Sequence, residues 1–297
     1  MLHQVSRLAA AIVFALLASV GSAAANKVVV KNLCSFTVWI EQLNVPNAKQ
    51  VVKLAKGASY TYDLPDNKLI DATRWWPKTG CDNNGNNCTQ GQTMPPCPAQ
   101  GCAPPIDSKF EATWCAGSNC QTYFDISMVD GFTLPVEIQP NAPKNTIPGC
   151  TQAACPSLST SASVCPTRED LSTNGKYPAL RNQDLRMKDP KTGKVIGCFS
   201  PCGKLTYAKA FGGFNYQPQD PQAAYYCCKG VADTKGTCSK GPIQSMNYVK
   251  LIDSACKNEV YGWAYDDAHG THTCTGPTTI NFMICPPVSA KKGGRKG

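Results

Sequence analysis

From Phe110 to Ile138 the chain reads FEATWCAGSNCQTYFDISMVDGFTLPVEI, with apolar residues on alternate positions. Phe110, Ala112 and Trp114 alternate with Glu111 and Thr113. Phe124, Ile126 and Met128 alternate with Tyr123, Asp125 and Ser127, and Phe132, Leu134, Val136 and Ile138 with Thr133, Pro135 and Glu137. A two-residue period predicts strands with one buried face, here three antiparallel ones. Turn chemistry separates them at Ala116-Gly117-Ser118-Asn119 and at Asp130-Gly131.

The pattern also predicts a register. Paired strands must turn their apolar residues to one face, and a slip of one residue would reverse one of them. Pairing Phe110 with Ile126 and Ala112 with Phe124 meets that condition. It sets Glu111 opposite Asp125 on the polar face. Directly opposed residues have Cβ atoms roughly 5 Å apart. Two carboxylates at that distance repel by about 3 kcal/mol at an effective dielectric near 20. An arginine, a shared proton or a ligand would compensate them. The plain alternative is two solvated charges.

Other stretches follow the same logic. Lys27–Ile40 reads as two short strands broken at Asn32-Leu33-Cys34, and Val51–Leu64 as two more with a turn at Lys56-Gly57. Leu69–Lys78 is a strand carrying Arg74-Trp75-Trp76 at a rim position, either as a surface stacking group or with the cation facing inward. Cys81–Cys102 is a turn-rich loop, and Asn87-Cys88-Thr89 within it matches the glycosylation sequon. Asn141–Gly149 is a Pro/Asn-rich connector and a candidate domain boundary. From Cys150 onward regular strands fade, and short helices are predicted at Tyr177–Leu185 and Ile243–Cys256. Asp189–Gly193 reads as a turn. Tyr261–Asp267 and Thr278–Cys285 read as strands.

Composition changes the picture in one respect. Residues 1–25 have the form of a secretory signal peptide: Arg7, an apolar run from Leu8 to Val20, then small residues at Ser22–Ala25. That run is short for a membrane span, and no other stretch is apolar for ~18 residues. A secreted protein without a transmembrane segment is expected. All 18 cysteines follow the signal, which allows nine disulfides. Adjacent Cys227-Cys228 and the scarcity of CxxC spacing argue against a zinc reading. Net charge is +9, and four of the cations sit in the tail at Lys291, Lys292, Arg295 and Lys296. The remaining body is too mildly basic to predict nucleic-acid binding. His269 and His272, the histidines outside the signal, show no triad pattern. Asp266 and Asp267 lie near them, but no tight metal-ligand spacing exists. No phosphate loop or dinucleotide fingerprint is present, so no cofactor is expected.

Several strings together resemble one family. ATRWWPKTGC (72–81), APP followed by FEATW (103–114), YFDISMVDGFTLPVEI (123–138), YYCCKG (225–230), VYGWAYDDAHGTHTC (260–274) and FMICP (282–286) are similar, in order, to thaumatin-like proteins, over about 26–287. The resemblance implies a mainly β fold. A β-sandwich core (26–145 and 275–288) would pack against a disulfide-rich loop region with short helices (146–274), with an acidic interdomain cleft between them. Residues 289–297 form a basic tail. It further implies the bridges Cys34–Cys285, Cys81–Cys88, Cys97–Cys102, Cys150–Cys274, Cys155–Cys256, Cys165–Cys198, Cys202–Cys227 and Cys228–Cys238. Cys115 and Cys120 are then left over beside the first hairpin turn and predict a ninth bridge. Pro166–Gly197 is longer than in many relatives.

The resemblance also implies a cleft lined by Arg74, Glu111, Asp125, Asp130 and Asp266, with Asp267 as substitute for the last. Arg74 would supply the compensating charge for the acidic pair. The implied ligand is β-1,3-glucan, bound by a secreted monomer with antifungal or wall-modifying effect. A second reading is weak endo-β-1,3-glucanase activity, with Glu111 as acid of raised pKa and Asp125, held ionised by Arg74, as nucleophile or base. A third is an inhibitor or structural wall protein that does not use the cleft.

Overall fold

The computed structural model describes residues 26–92, 105–117, 119–141, 150–158 and 164–288. The signal segment, the tail, most of the connector and the Cys97–Cys102 pair lie outside them.

Alternating sequence produces two sheets that close on one core. The first contains β1 (Asn26–Asn32), β4 (Ser59–Leu64), β9 (Val136–Pro140), β10 (Ala153–Cys155) and β14 (Thr279–Ile284), ordered β10-β9-β14-β1-β4. The second contains β2 (Val38–Leu43), β3 (Val51–Leu54), β5 (Ile70–Lys78), β6 (Lys109–Trp114), β7 (Gln121–Ser127) and β13 (His272–Thr275), ordered β13-β7-β6-β5-β2-β3. β1 runs parallel to β14, and the other pairs in both sheets are antiparallel. Val28, Val30, Ile280 and Phe282 of one sheet and Trp75, Phe110, Trp114 and Phe124 of the other are buried. The sheets meet where Phe110 lies 5.6 Å from Phe282 and Tyr62 lies 5.9 Å from Trp75, ring centre to ring centre.

The rest of the chain covers this sandwich. β8 (Gly131–Phe132), β11 (Arg186–Lys188) and β12 (Val195–Phe199) form a small third sheet. Short helices follow: α1 (Pro201–Thr206), α2 (Ala224–Cys227), α3 (Lys235–Cys238), α4 (Asn247–Ala255) and α5 (Asp267–Gly270). Each is too short to persist alone, so packing and crosslinks hold them. Seven of the bridges implied by the resemblance are present, Cys34–Cys285, Cys81–Cys88, Cys150–Cys274, Cys155–Cys256, Cys165–Cys198, Cys202–Cys227 and Cys228–Cys238. The extra Cys115–Cys120 bridge is also formed.

Five elements differ from the sequence reading, one being Tyr177–Leu185, where only the 3-10 turn Pro178–Leu180 forms in place of a helix. The stretch Phe132–Ile138 is not a third strand of the meander. Its first residues pair with β12 and its last with β14 and β10. The chain leaves the large sheet at Gly131, whose φ of 136° and close approach to the Cys198 carbonyl, 2.2 Å from where a Cβ would stand, require a glycine. β3 and β4 flank the Lys56-Gly57 turn but belong to different sheets, so that turn is a crossover. Tyr261–Asp267 is a bridge residue and a turn leading into α5, not a strand. Finally, β10, β11 and β12 persist beyond Cys150, where strands were expected to fade.

One buried charge cluster ties sandwich to cover. Lys109, fully buried on β6, reaches Asp130 Oδ2 at 2.8 Å and Asp107 Oδ1 at 3.3 Å. Asp107 is also fully buried, and neither of its carboxylate oxygens has a hydrogen bond. Burial pushes its carboxyl up to about 7, with Lys109 opposing and the charges of Asp130 and Glu111 adding to the rise. An unfolded aspartate titrates near ~4. The stability contributed by the native proton is therefore complete below that value and lost as pH rises through about 7.

Urea midpoints should accordingly fall as pH rises between ~4 and ~8, and Asp107→Asn should flatten the slope by one proton, about 1.4 kcal/mol per pH unit at its steepest. An unchanged slope in that variant would assign the titration elsewhere. The bridges should rank by loop length. Cys34–Cys285 spans 251 residues and Cys115–Cys120 spans 5, so paired Cys→Ser variants should lose about 5 and about 2 kcal/mol in the chain-entropy picture. Equal losses in urea unfolding would refute that ranking.

Candidate functional site

The polar face of the large sheet carries a row of charges set by three adjacent strands. Glu111 of β6 lies opposite Asp125 of β7, in the register predicted from apolar alternation. On its other side Glu111 lies opposite Arg74 of β5. Arg74 Nε and Glu111 Oε1 form an ion pair at 2.5 Å. Asp125 Oδ1 is shut from solvent and has no hydrogen-bond partner. Burial, and after it the charge of Glu111, holds the Asp125 carboxyl well above the usual carboxylate range, while Arg74 and Lys109 pull the other way. The guanidinium thus pairs with Glu111, and Asp125 has no cation as a direct partner among the described residues. The pairing of Arg74 with Glu111, where Asp125 was expected to take it, is the observed difference from the sequence reading. The cause is register: β5 sits next to β6, not next to β7.

A cavity of about 470 Å³ opens over this row. Arg74, Glu111, Asp125, Ser127 and Asp130 line it from the sheet side, and Cys202, Thr206, Pro218, Cys227, Lys229 and Ala264 from the covering segment. A second cavity of about 390 Å³ shares Glu111, Asp125 and Tyr261 and extends past Thr113, Tyr123 and Thr271. The two therefore form one elongated groove. Tyr123 is exposed, while Tyr261 donates from its hydroxyl to Asp267 Oδ1 at 2.9 Å. Trp75 and Trp76 are fully buried. The rim expected for them is absent, so these tyrosines are the aromatic groups available at the groove.

Asp130 takes part as expected, with its half-exposed carboxylate gripped by Lys109. Asp266 does not. It lies among the lining of neither cavity, is almost fully buried, and accepts from the Gly262 amide at 3.2 Å. Because Tyr261–Asp267 turns instead of extending, Asp266 faces inward to His269 and Asp267 reaches the groove only through Tyr261. The sequence reading missed Lys109. It precedes Glu111 by two residues and so shares its face, a signal that period alone contained. The cavity lining carries Arg74 and Lys229 against Glu111, Asp125 and Asp130, with Lys109 beneath. The cations so placed offset much of the carboxylate charge along the row.

The family model described as the Thaumatin family matches residues 32–286. A protein of Prunus avium named glucan endo-1,3-beta-glucosidase is 30% identical over 280 residues, which cover 90% of this chain and 94% of that protein. Thaumatin-like protein 2 of Prunus persica is 28% identical over 279 residues, covering 91% and 94%. Thaumatin-like protein 1 of Pyrus pyrifolia is 29% identical over 267 residues, covering 86% and 88%. With a family match over most of its length and a crosslinked β architecture to accompany it, the chain belongs to the thaumatin family.

Proposed function

We propose that the protein binds a neutral cell-wall polysaccharide, β-1,3-glucan, along this groove and does not cleave it. The observation that carries this reading is the carboxyl row of Asp125, Glu111 and Asp130 in an elongated cavity that Arg74 and Lys229 also line. Sugar hydroxyls can donate to the carboxyl groups that line the cavity and bring no charge. Glu111 and Asp130 offer further acceptors, Lys229 and Arg74 donors, and exposed Tyr123 an apolar face for a pyranose ring. An anionic polymer would meet three carboxyl groups.

The arrangement of the acids favours binding over turnover. Glycoside hydrolysis requires two carboxyl groups flanking the bond. Glu111, Asp125 and Asp130 all come from the sheet side, and the facing residues of the covering segment contribute no carboxylate. The name of the Prunus avium relative supports hydrolysis as a second reading. Its acid would be Asp125, whose carboxyl burial holds well above the usual carboxylate range, and Glu111 would be the second group. Carboxyl groups about 5 Å apart would then lead to retention of configuration, and a wider separation to inversion. Eight bridges among the described cysteines support action in an oxidising, extracellular setting, consistent with an antifungal or wall-modifying role.

Sedimentation with insoluble β-1,3-glucan should deplete the wild-type protein from solution. Glu111→Gln should weaken retention roughly tenfold or more, the loss expected for a charged hydrogen-bond partner. Asp125→Asn, which keeps an acceptor and adds a donor, should bind within about threefold of wild type. No reducing sugar should appear. Sugar release that disappears in Asp125→Asn would instead establish hydrolysis. Absence of both retention and release would overturn the glucan reading.

A further inference from the structure

Beside the groove three metal-ligating side chains converge. Asp253 lies on α4, Asp266 caps α5, and His269 lies within α5. Asp266 Oδ1 stands 2.9 Å from His269 Nδ1, and Asp253 Oδ1 stands 3.9 Å from the same nitrogen. The three ligating atoms all lie within 4.8 Å of one another. Asp253 Oδ1 and His269 Nδ1 are shut from solvent, and neither has a hydrogen-bond partner. The Asp266 side chain is only 6% exposed, and its other oxygen is fixed by the Gly262 amide.

The protein atoms alone leave this cluster unbalanced. A neutral imidazole offers Nδ1 at most one proton, which serves one carboxylate and leaves the other facing it. An imidazolium balances only one of the two negative charges. Among the described residues, the ion pairs of Asp253 and Asp266 run to His269 alone. A divalent cation with neutral histidine would bring the total to zero. Donor atoms bound to such an ion at about 2.0–2.2 Å stand roughly 3–4 Å from each other. The observed 2.9 and 3.9 Å are close to that range.

We propose that Asp253, Asp266 and His269 form a site for one divalent transition-metal ion of the Zn²⁺ or Mn²⁺ type. One imidazole nitrogen with two carboxylate oxygens suits those ions, whereas Ca²⁺ prefers about six to eight oxygens. The Gly262 amide acts as the outer hydrogen bond that orients a ligating carboxylate. The ion ties α4 to α5. It thereby stiffens the segment in which Asp267 holds the Tyr261 hydroxyl at the groove wall. This site stands whether or not the groove binds glucan.

Chelator-stripped full-length protein dialysed against ZnCl₂ should take up about one ion per chain, and Ca²⁺ at the same concentration roughly tenfold less. His269→Ala and Asp253→Asn should each weaken Zn²⁺ uptake roughly tenfold or more. Asp63→Asn, at an exposed ion pair with Lys27, should not. Circular dichroism of each variant checks that the fold is kept. No uptake by wild type, or uptake untouched by either ligand substitution, would leave an Asp–His ion pair only and overturn the proposal.

Discussion

Two carboxyl groups set side by side on a sheet are the constraint on which the groove depends. Opposed at roughly 5 Å, they would repel by about 3 kcal/mol if both were ionised. The fold answers with a guanidinium one strand further along and an ammonium buried beneath. Arg74 takes Glu111, and Lys109 takes Asp130 and Asp107. Asp125 is left with neither as a direct partner, and burial beside Glu111 holds its carboxyl well above the usual carboxylate range. Each of these cations sits in a strand whose apolar residues are already locked into the core. The charges are therefore held by the packing of Trp75 and Phe110, whose stacked rings lie 5.1 Å apart directly behind them.

The opposite wall is built differently. It draws on Cys202 and Cys227, bridged to each other, and on residues close to the Cys228–Cys238 bridge. α1 and α2 have six and four residues, too few to stand alone. Covalent links thus fix the shape of a wall that contributes little charge, while strand register fixes the charges of a wall with little freedom of shape. A small domain with many loops commonly substitutes crosslinks for buried apolar area. Here the exchange also keeps the groove open. A wall held by apolar packing would have to bury its residues against the sheet, over the row that the groove exposes.

How much of this could be read from sequence follows from what alternation encodes. A period of two reports which residues are buried, so β6, β7, their register and the Glu111–Asp125 apposition were legible. It does not report which sheet buries them. Phe132 and Val136 alternate correctly, yet they serve two sheets, and only Gly131 marked the departure. Arg74 was identified as a compensating charge, but its choice of Glu111 depends on the order of strands, which is a property of topology. Lys109 and Asp107 share the face of Glu111 by period, but alternation does not report that a charge on that face is buried. Asp266 failed for a related reason. Alternating Tyr261, Trp263 and Tyr265 resemble a strand, while the chain spends those residues on a turn.

That turn shows how a short local preference redirects chemistry. Had Tyr261–Asp267 been extended, successive side chains would have alternated, and one of the two aspartates would have faced the groove. The helical turn of α5 instead sends Asp266 inward and Asp267 outward to Tyr261 and Lys235. It also brings His269 onto Asp266 at a spacing of three residues, where helical geometry makes side chains neighbours. Asp253 arrives from α4, thirteen residues earlier than Asp266. The Cys155–Cys256 bridge anchors the end of that helix to β10 of the sandwich. The histidine and the two acids are thus brought together by a disulfide-anchored helix and one helical turn. No spacing rule applied to the sequence alone would have grouped them.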